Sequence, residues 1–139
     1  MVVPEPNQPV REYTWKEFDT DIKILAIRIR KKYPDLLHIY GIPRGGKIIA
    51  VVLSHRLGLE YVDNPRYSPK IYFGGKEGNE VLDKLLIVDD ICDSGETIAA
   101  YTMRNTACLL TRITAIRKPK ITGNWIRNKD WIIFPWEKK

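Results

Sequence analysis

Apolar residues at Trp15, Phe18, Ile22, Leu25 and Ile29 recur at alternating spacings of three and four, the pattern of one buried helix face. Thr14 and Glu17 stand just before this stripe at the spacing of a capping box, so the helix starts there and ends near Pro34. Further on, short apolar runs alternate with helix-compatible stretches. Leu36 to Tyr40 reads as a buried strand, Lys47 to Leu57 as a helix stopped by Gly58, and Leu59 to Asp63 as a second strand. Leu85 to Val88 is a third strand, Gly95 to about Thr106 a further helix, and Arg112 to Arg117 a fourth strand. The alternation predicts one α/β domain, a parallel sheet flanked by helices on both faces.

Three stretches escape the pattern. Residues 1–12, with Pro4, Pro6 and Pro9, read as an extended arm. Residues 64–80 hold two prolines, three glycines and one short β-like piece at Lys70 to Phe73, the composition of a mobile loop. Residues 118–139 form an aromatic, poorly periodic tail. The length of 139 residues suits a single domain with a single core. No apolar run reaches membrane-span length, and two cysteines make neither a disulfide framework nor a metal spacing. Cys92 reads as a small free thiol, and a cytoplasmic location is expected. The net charge of +6 suits a polyanionic ligand and suits nucleic acid equally well.

The densest chemistry lies in the run Leu85 to Thr97, LLIVDDICDSGET. A strand ends in two carboxylates, Asp89 and Asp90, and a turn through Asp93, Ser94 and Gly95 leads into Glu96 and Thr97. Ligands of open α/β sheets bind beyond the carboxyl ends of strands, and a turn that opens a helix presents backbone N–H groups to phosphate. Paired acids beside such a seat suit a phosphorylated sugar: they accept from vicinal hydroxyls or anchor a hydrated Mg²⁺ that the phosphates share. Arg44-Gly45-Gly46 ends a neighbouring strand and would face the same sheet edge. Its glycines let backbone approach an anion closely, and Arg44 can grip one with a forked guanidinium.

The run from Leu85 to Thr97 resembles the phosphoribosyl-pyrophosphate (PRPP) motif of the type I phosphoribosyltransferases. The resemblance implies that Asp89 and Asp90 hold the ribose and the metal, directly or through water. It also implies that the backbone from Asp93 to Thr97, with Gly95, Glu96 and the Ser94 and Thr97 hydroxyls, holds the 5′-phosphate. Arg44 and Gly45 would then bind pyrophosphate, in a loop where the family often has a non-proline cis peptide, here the bond from Pro43 to Arg44. Lys118-Pro119, a spacer, then Trp131-Ile132 with Pro135-Trp136 resemble the base site of the xanthine–guanine and hypoxanthine–guanine members. By that likeness Lys118 contacts the 6-oxo group of a purine, Trp131 stacks on its ring, and the main chain of Ile132 reads the 2-position. The tail becomes a C-terminal base-binding hood, residues 64–80 the flexible active-site loop, and Asp93 the catalytic group beside N7.

The expected activity is Mg²⁺-dependent transfer of the phosphoribosyl group from PRPP to guanine, xanthine or hypoxanthine, in a homo-oligomer, dimer or tetramer, with no membrane partner. Arg66, Lys70 and Lys76 remain alternatives for the cation of the flexible loop. A pyrimidine-specific enzyme is disfavoured by the tail. A non-catalytic regulator that binds nucleic acid fits the charge, but the chain has no RNA-reading aromatic motif.

Overall fold

The computed structural model describes residues 3–63, 82–101 and 103–138. In chain order the elements are β1 Val10–Glu12, α1 Trp15–Lys32, β2 His38–Gly41, α2 Gly45–Leu57 and β3 Glu60–Tyr61. β4 Leu85–Cys92, α3 Glu96–Ala99, β5 Asn105–Arg112, β6 Ile121–Ile126 and β7 Trp131–Ile133 follow, and a 3₁₀ turn covers Pro135–Glu137. Five strands form one parallel sheet in the order β3–β2–β4–β5–β6. β1 and β7 pair in parallel as a separate two-stranded ribbon. Among the described residues no helix is long and apolar enough to cross a membrane.

The sheet is buried on both faces, and β4 shows why its sequence reads as an unbroken apolar run. Leu86 and Val88 enter one core with Ile22, Leu25 and Ile29 of α1 and with Ile49 and Leu53 of α2. Leu85 and Ile87 point the other way and join Cys108, Ile98 and Tyr101. Strand alternation thus feeds two cores from consecutive residues. The first helix begins as expected: Thr14 Oγ1 accepts from the Glu17 N–H, and the Glu17 carboxylate accepts from the Thr14 N–H. Its buried stripe departs at one position. Trp15 is 58% exposed and packs on Phe18 and Trp136, outside the core.

Two expectations fail after the acidic motif. The helix there is four residues long, Glu96–Ala99, where the sequence suggests one running to Thr106. The next strand is Asn105–Arg112, set earlier than Arg112 to Arg117. The reason is burial: from Thr106 to Arg112 every residue is buried, so tertiary packing overrides the helix-compatible local pattern. The tail is also more regular than its sequence suggests, because it supplies β6 and β7. The proposed flexible loop, with Arg66, Lys70, Lys76 and the β-like piece from Lys70 to Phe73, lies outside the described residues.

Chain order reverses between β2 and β4, since β3 lies on one side of β2 while β5 and β6 extend beyond β4. The crevice at such a reversal, beyond the carboxyl ends of the strands, is where open α/β sheets bind ligands.

Candidate active site

A cleft of about 440 Å³ opens at that reversal. Arg44 and Gly45 line it from the end of β2, Asp89 and Asp90 from β4, and Asp93, Ser94, Gly95, Glu96 and Thr97 from the turn beyond. Trp131 and Ile132 close it from β7, and Arg112 enters from the end of β5.

Close approach fixes the first two groups. A Cβ on Gly45 would overlap the Asp90 carboxylate, and one on Gly46 would press on the Val88 carbonyl. The start of α2 therefore sits directly against the acidic end of β4, and the peptide between Pro43 and Arg44 is cis. Asp89 Oδ1 accepts from the Asp90 N–H at 2.9 Å, and Asp90 Oδ1 accepts from the Ile91 N–H at 2.8 Å. Burial, and then the charge of Asp90, push the Asp89 carboxyl up to about 9. Burial raises Asp90 as well. Two carboxyls in one desolvated spot resist ionising together, so a cation or a set of hydroxyl donors would stabilise them. Among the described residues no three His, Cys, Asp or Glu side chains converge on a point. Asp89 and Asp90 are the carboxylates of the cleft that could hold Mg²⁺, an ion that commonly takes one or two carboxylates and completes its shell with water and substrate phosphate.

The turn after β4 is held from behind. Gly95 has φ 93°, a left-handed conformation in which a Cβ would run into the backbone of Arg117. The Ile116 N–H donates to Ser94 O at 2.9 Å, the Cys92 thiol donates to Arg117 O, and Ser94 Oγ accepts from the Glu96 N–H. Glu96 is exposed at the rim of the cleft, so its size is no obstacle to a loop that works through its backbone. The helix behind this turn is a single turn and contributes little macrodipole, so the turn's own amides and hydroxyls are what it can offer an anion.

At the other end of the cleft one expectation is corrected. Lys118 is exposed, its ammonium donates to Ala115 O at 2.6 Å, and it does not line the cleft. The strand thought to precede it ends six residues earlier, at Arg112. Arg112, at the end of β5, lines the cleft instead. It is 7% exposed and donates from Nε to Asp93 Oδ1 at 2.6 Å, from Nη1 to Asn128 O and from Nη2 to Asp130 O. The sequence carried a signal for it: Ala107 to Leu110 is an apolar run, and Arg112 is the first cation after that run.

Trp131 and Ile132 sit on β7 and are held by β1. The Trp131 N–H donates to Pro9 O and the Tyr13 N–H to Ile133 O. Strand alternation then turns the peptide groups of Ile132 away from β1. Trp136 does not face the cleft: its ring stacks on Phe134 at 4.7 Å and meets Phe18 edge-on. The arm also reaches the site. A second cavity, of about 520 Å³, is bounded by Glu5 to Pro9 and shares Asp93, Arg112 and Trp131 with the cleft.

A parallel sheet flanked by helices, with an acid pair, a tight turn and a glycine pair gathered at its point of reversal, defines an open α/β protein whose cleft lies where such sheets bind ligands. Comparison with known proteins narrows the class. No protein-family model matches the chain. A xanthine-guanine phosphoribosyltransferase from Ruegeria sp. is 30% identical, across 99% of this chain and 93% of that protein. Another from Gluconobacter oxydans is 28% identical across 89% and 82%. The solved structure of a purine phosphoribosyltransferase from Pyrococcus horikoshii superposes with a TM-score of 0.68 at 28% identity, covering 93% of this chain and 95% of that one. A xanthine-guanine-hypoxanthine phosphoribosyltransferase from Helicobacter pylori, at 20% identity and a TM-score of 0.70, shares the fold. The chain belongs to the type I phosphoribosyltransferase family, in its xanthine–guanine and hypoxanthine–guanine branch.

Proposed function

We propose that the protein transfers the 5-phosphoribosyl group of PRPP to a 6-oxopurine and releases pyrophosphate. The observation that carries this reading is the convergence on one cleft of the Asp89–Asp90 pair, the turn from Asp93 to Thr97, the Arg44–Gly45 pair and a donor-plus-aromatic base end. In the reaction a purine ring nitrogen forms a bond to C1 of the ribose. The bond from C1 to the pyrophosphate oxygen breaks, and pyrophosphate leaves with that electron pair. Positive charge grows on the ribose as the bond loosens, so binding and electrostatics supply most of the catalysis.

Each residue then has a stated task. Asp89 and Asp90 accept from the ribose hydroxyls. The turn from Asp93 to Thr97, with the Ser94 and Thr97 hydroxyls, holds the 5′-phosphate. Arg44 and the Gly45 backbone hold the leaving pyrophosphate. Asp89 and Asp90 would hold Mg²⁺, directly or through water, and the ion would supply positive charge to stabilise the leaving pyrophosphate. Asp93 takes the proton that the purine nitrogen loses. Trp131 offers its face to the purine ring, and the outward peptide groups of Ile132 suit the 2-position. The donor at the base end is Arg112, which carries N–H groups and no acceptor, and this favours an oxo group over an exocyclic amine. Lys118 has no task in the cleft, so Lys118→Ala leaves base selectivity unchanged.

A pyrophosphate-release assay with PRPP and Mg²⁺ tests the reading against guanine, xanthine, hypoxanthine, adenine, uracil and orotate. Turnover with 6-oxopurines alone, lost on chelation of Mg²⁺, is the expected result. Turnover with a pyrimidine would discard the base site, and silence with all six alongside measurable PRPP binding would discard the enzymatic reading.

A further inference from the structure

We propose that Arg112 is a positioning residue for Asp93: it fixes the proton-accepting carboxylate to the segment 128–130, which leads into the base-binding strand. The inference rests on the proposed phosphoribosyl transfer and deepens it. Asp93 alone is poorly held for its task. Its side chain is 60% exposed and sits on a turn, where an aspartate has several rotamers open to it. A guanidinium has five N–H donors in one plane, so two fixed acceptors are enough to set the direction of the third. Arg112 meets that condition. Asn128 O takes Nη1 at 2.8 Å and Asp130 O takes Nη2 at 3.0 Å, which leaves Nε aimed at Asp93 Oδ1 at 2.6 Å.

The acceptor segment is itself built to stay in place. Asn128 Oδ1 accepts from the Asp130 N–H, which shapes the turn, and Gln8 Nε2 of the arm donates to the carbonyl between them, Lys129 O. Three successive carbonyls are thus used, alternately by Arg112 and by the arm. One residue after Asp130 comes Trp131, the proposed stacking face. A purine seated on Trp131 and the carboxylate beside its ring nitrogen are therefore referred to the same short segment through one side chain. A clamp that merely held the loop would not need its third donor on an exposed carboxylate.

A double-mutant cycle separates positioning from simple support. Arg112→Lys keeps the charge but cannot span three acceptors at once. It is expected to lower kcat about tenfold or more, raise KM for the purine and leave KM for PRPP unchanged. In an Asp93→Asn background the same change should lower kcat no further, because the group that Arg112 positions is already disabled. Equal kcat losses in both backgrounds, or unchanged kcat in the single variant, would overturn the proposal. Calorimetric PRPP binding verifies that each variant is folded. If Arg112→Lys fails to fold, Asn128→Gly loosens the same turn while leaving both Arg112 and Asp93 unsubstituted and keeping the Asn128 carbonyl. It should show the same kcat loss, again absent with Asp93→Asn, and an additive loss counts against positioning. A wild-type enzyme silent with every base removes the reading and this inference together; an active wild type with an additive cycle removes the inference alone.

Discussion

The two ends of the cleft are built in different ways. The end proposed for phosphate centres on one stretch of chain, Asp89 to Thr97, held by the backbone of Ile116 and Arg117 and by the close approach of Gly45 and Gly46. The end proposed for the base is assembled from three separated pieces: the arm before β1, Arg112, and the continuous stretch that runs from Asn128 into β7. A contiguous, backbone-built site tolerates side-chain variety but not added volume. An assembled site depends on a few side chains that bridge its pieces, and each bridge is a separate point of failure.

The largest effect is expected where volume is added to the phosphate end. Gly45→Ala puts a methyl group where the Asp90 carboxylate stands. Ala is otherwise favoured over Gly in a helix by about 1 kcal/mol, so the fold should persist. Displacing the carboxylate should lower kcat/KM for PRPP by roughly 100-fold, or about 3 kcal/mol of transition-state binding. Steady-state kinetics with PRPP varied, paired with a thermal melt, checks both halves. Wild-type kinetics would show that the contact between the start of α2 and the end of β4 does not matter to the chemistry.

Next comes the acid pair, where stability and function pull in opposite directions. The folded protein holds Asp89 near 9, and its ordinary value is 3.8. Between those limits the folded state keeps a proton that the unfolded chain has released, so the group's contribution to stability falls as pH rises from about 4 to about 9. Asp89→Asn removes the titration. The unliganded variant should melt about 3–6 °C higher than wild type at pH 8 and no higher near pH 4. Its PRPP affinity should fall. Parallel melting curves across pH for the two proteins would refute the assignment of this slope to Asp89.

The same contrast explains how far sequence reasoning reached. The acids and the turn were legible because they follow one another in a single stretch of chain, and the glycine pair because it fills a short strand-to-helix turn, although their packing partners lie far along the chain. The capping box at Thr14 and the strand alternation were readable for the same reason. Lys118 was misplaced because its role depended on where β5 ends, and the eight residues from Asn105 to Arg112 become a strand through burial between β4 and β6. The local sequence marks Arg112 only as the first cation after an apolar run; its role stays hidden there, since all three of its acceptors lie at least sixteen residues away along the chain. Trp136 was read with the base-site tail, yet it completes an aromatic cluster with Phe134, Phe18 and Trp15. The arm looked detached because its side-chain ties to the tail are long in sequence: Lys138 to Glu12 spans 126 positions, and Gln8 to Lys129 spans 121.

The Gln8 tie gives the smallest and sharpest test. Gln8 serves two ends: its Nε2 donates to Lys129 O at 2.8 Å, and its Oε1 accepts from the Glu5 N–H at 2.9 Å, closing the turn that walls the second cavity. Gln8→Ala removes both bonds at a half-buried position, where each is worth about 0.5–1.5 kcal/mol. The β1–β7 pairing survives, because it is made by backbone from Val10 onward. The expected result is a rise of a few-fold in KM for the purine with kcat and KM for PRPP unchanged. This differs from Arg112→Lys, which should lower kcat as well. A fall in kcat in Gln8→Ala would mean that the arm reaches the catalytic carboxylate through Lys129 and its neighbours, and that the base end moves as one body. An unchanged purine KM would mean that Arg112 alone is enough to seat the segment 128–130, and the arm would then lie against the site without shaping it.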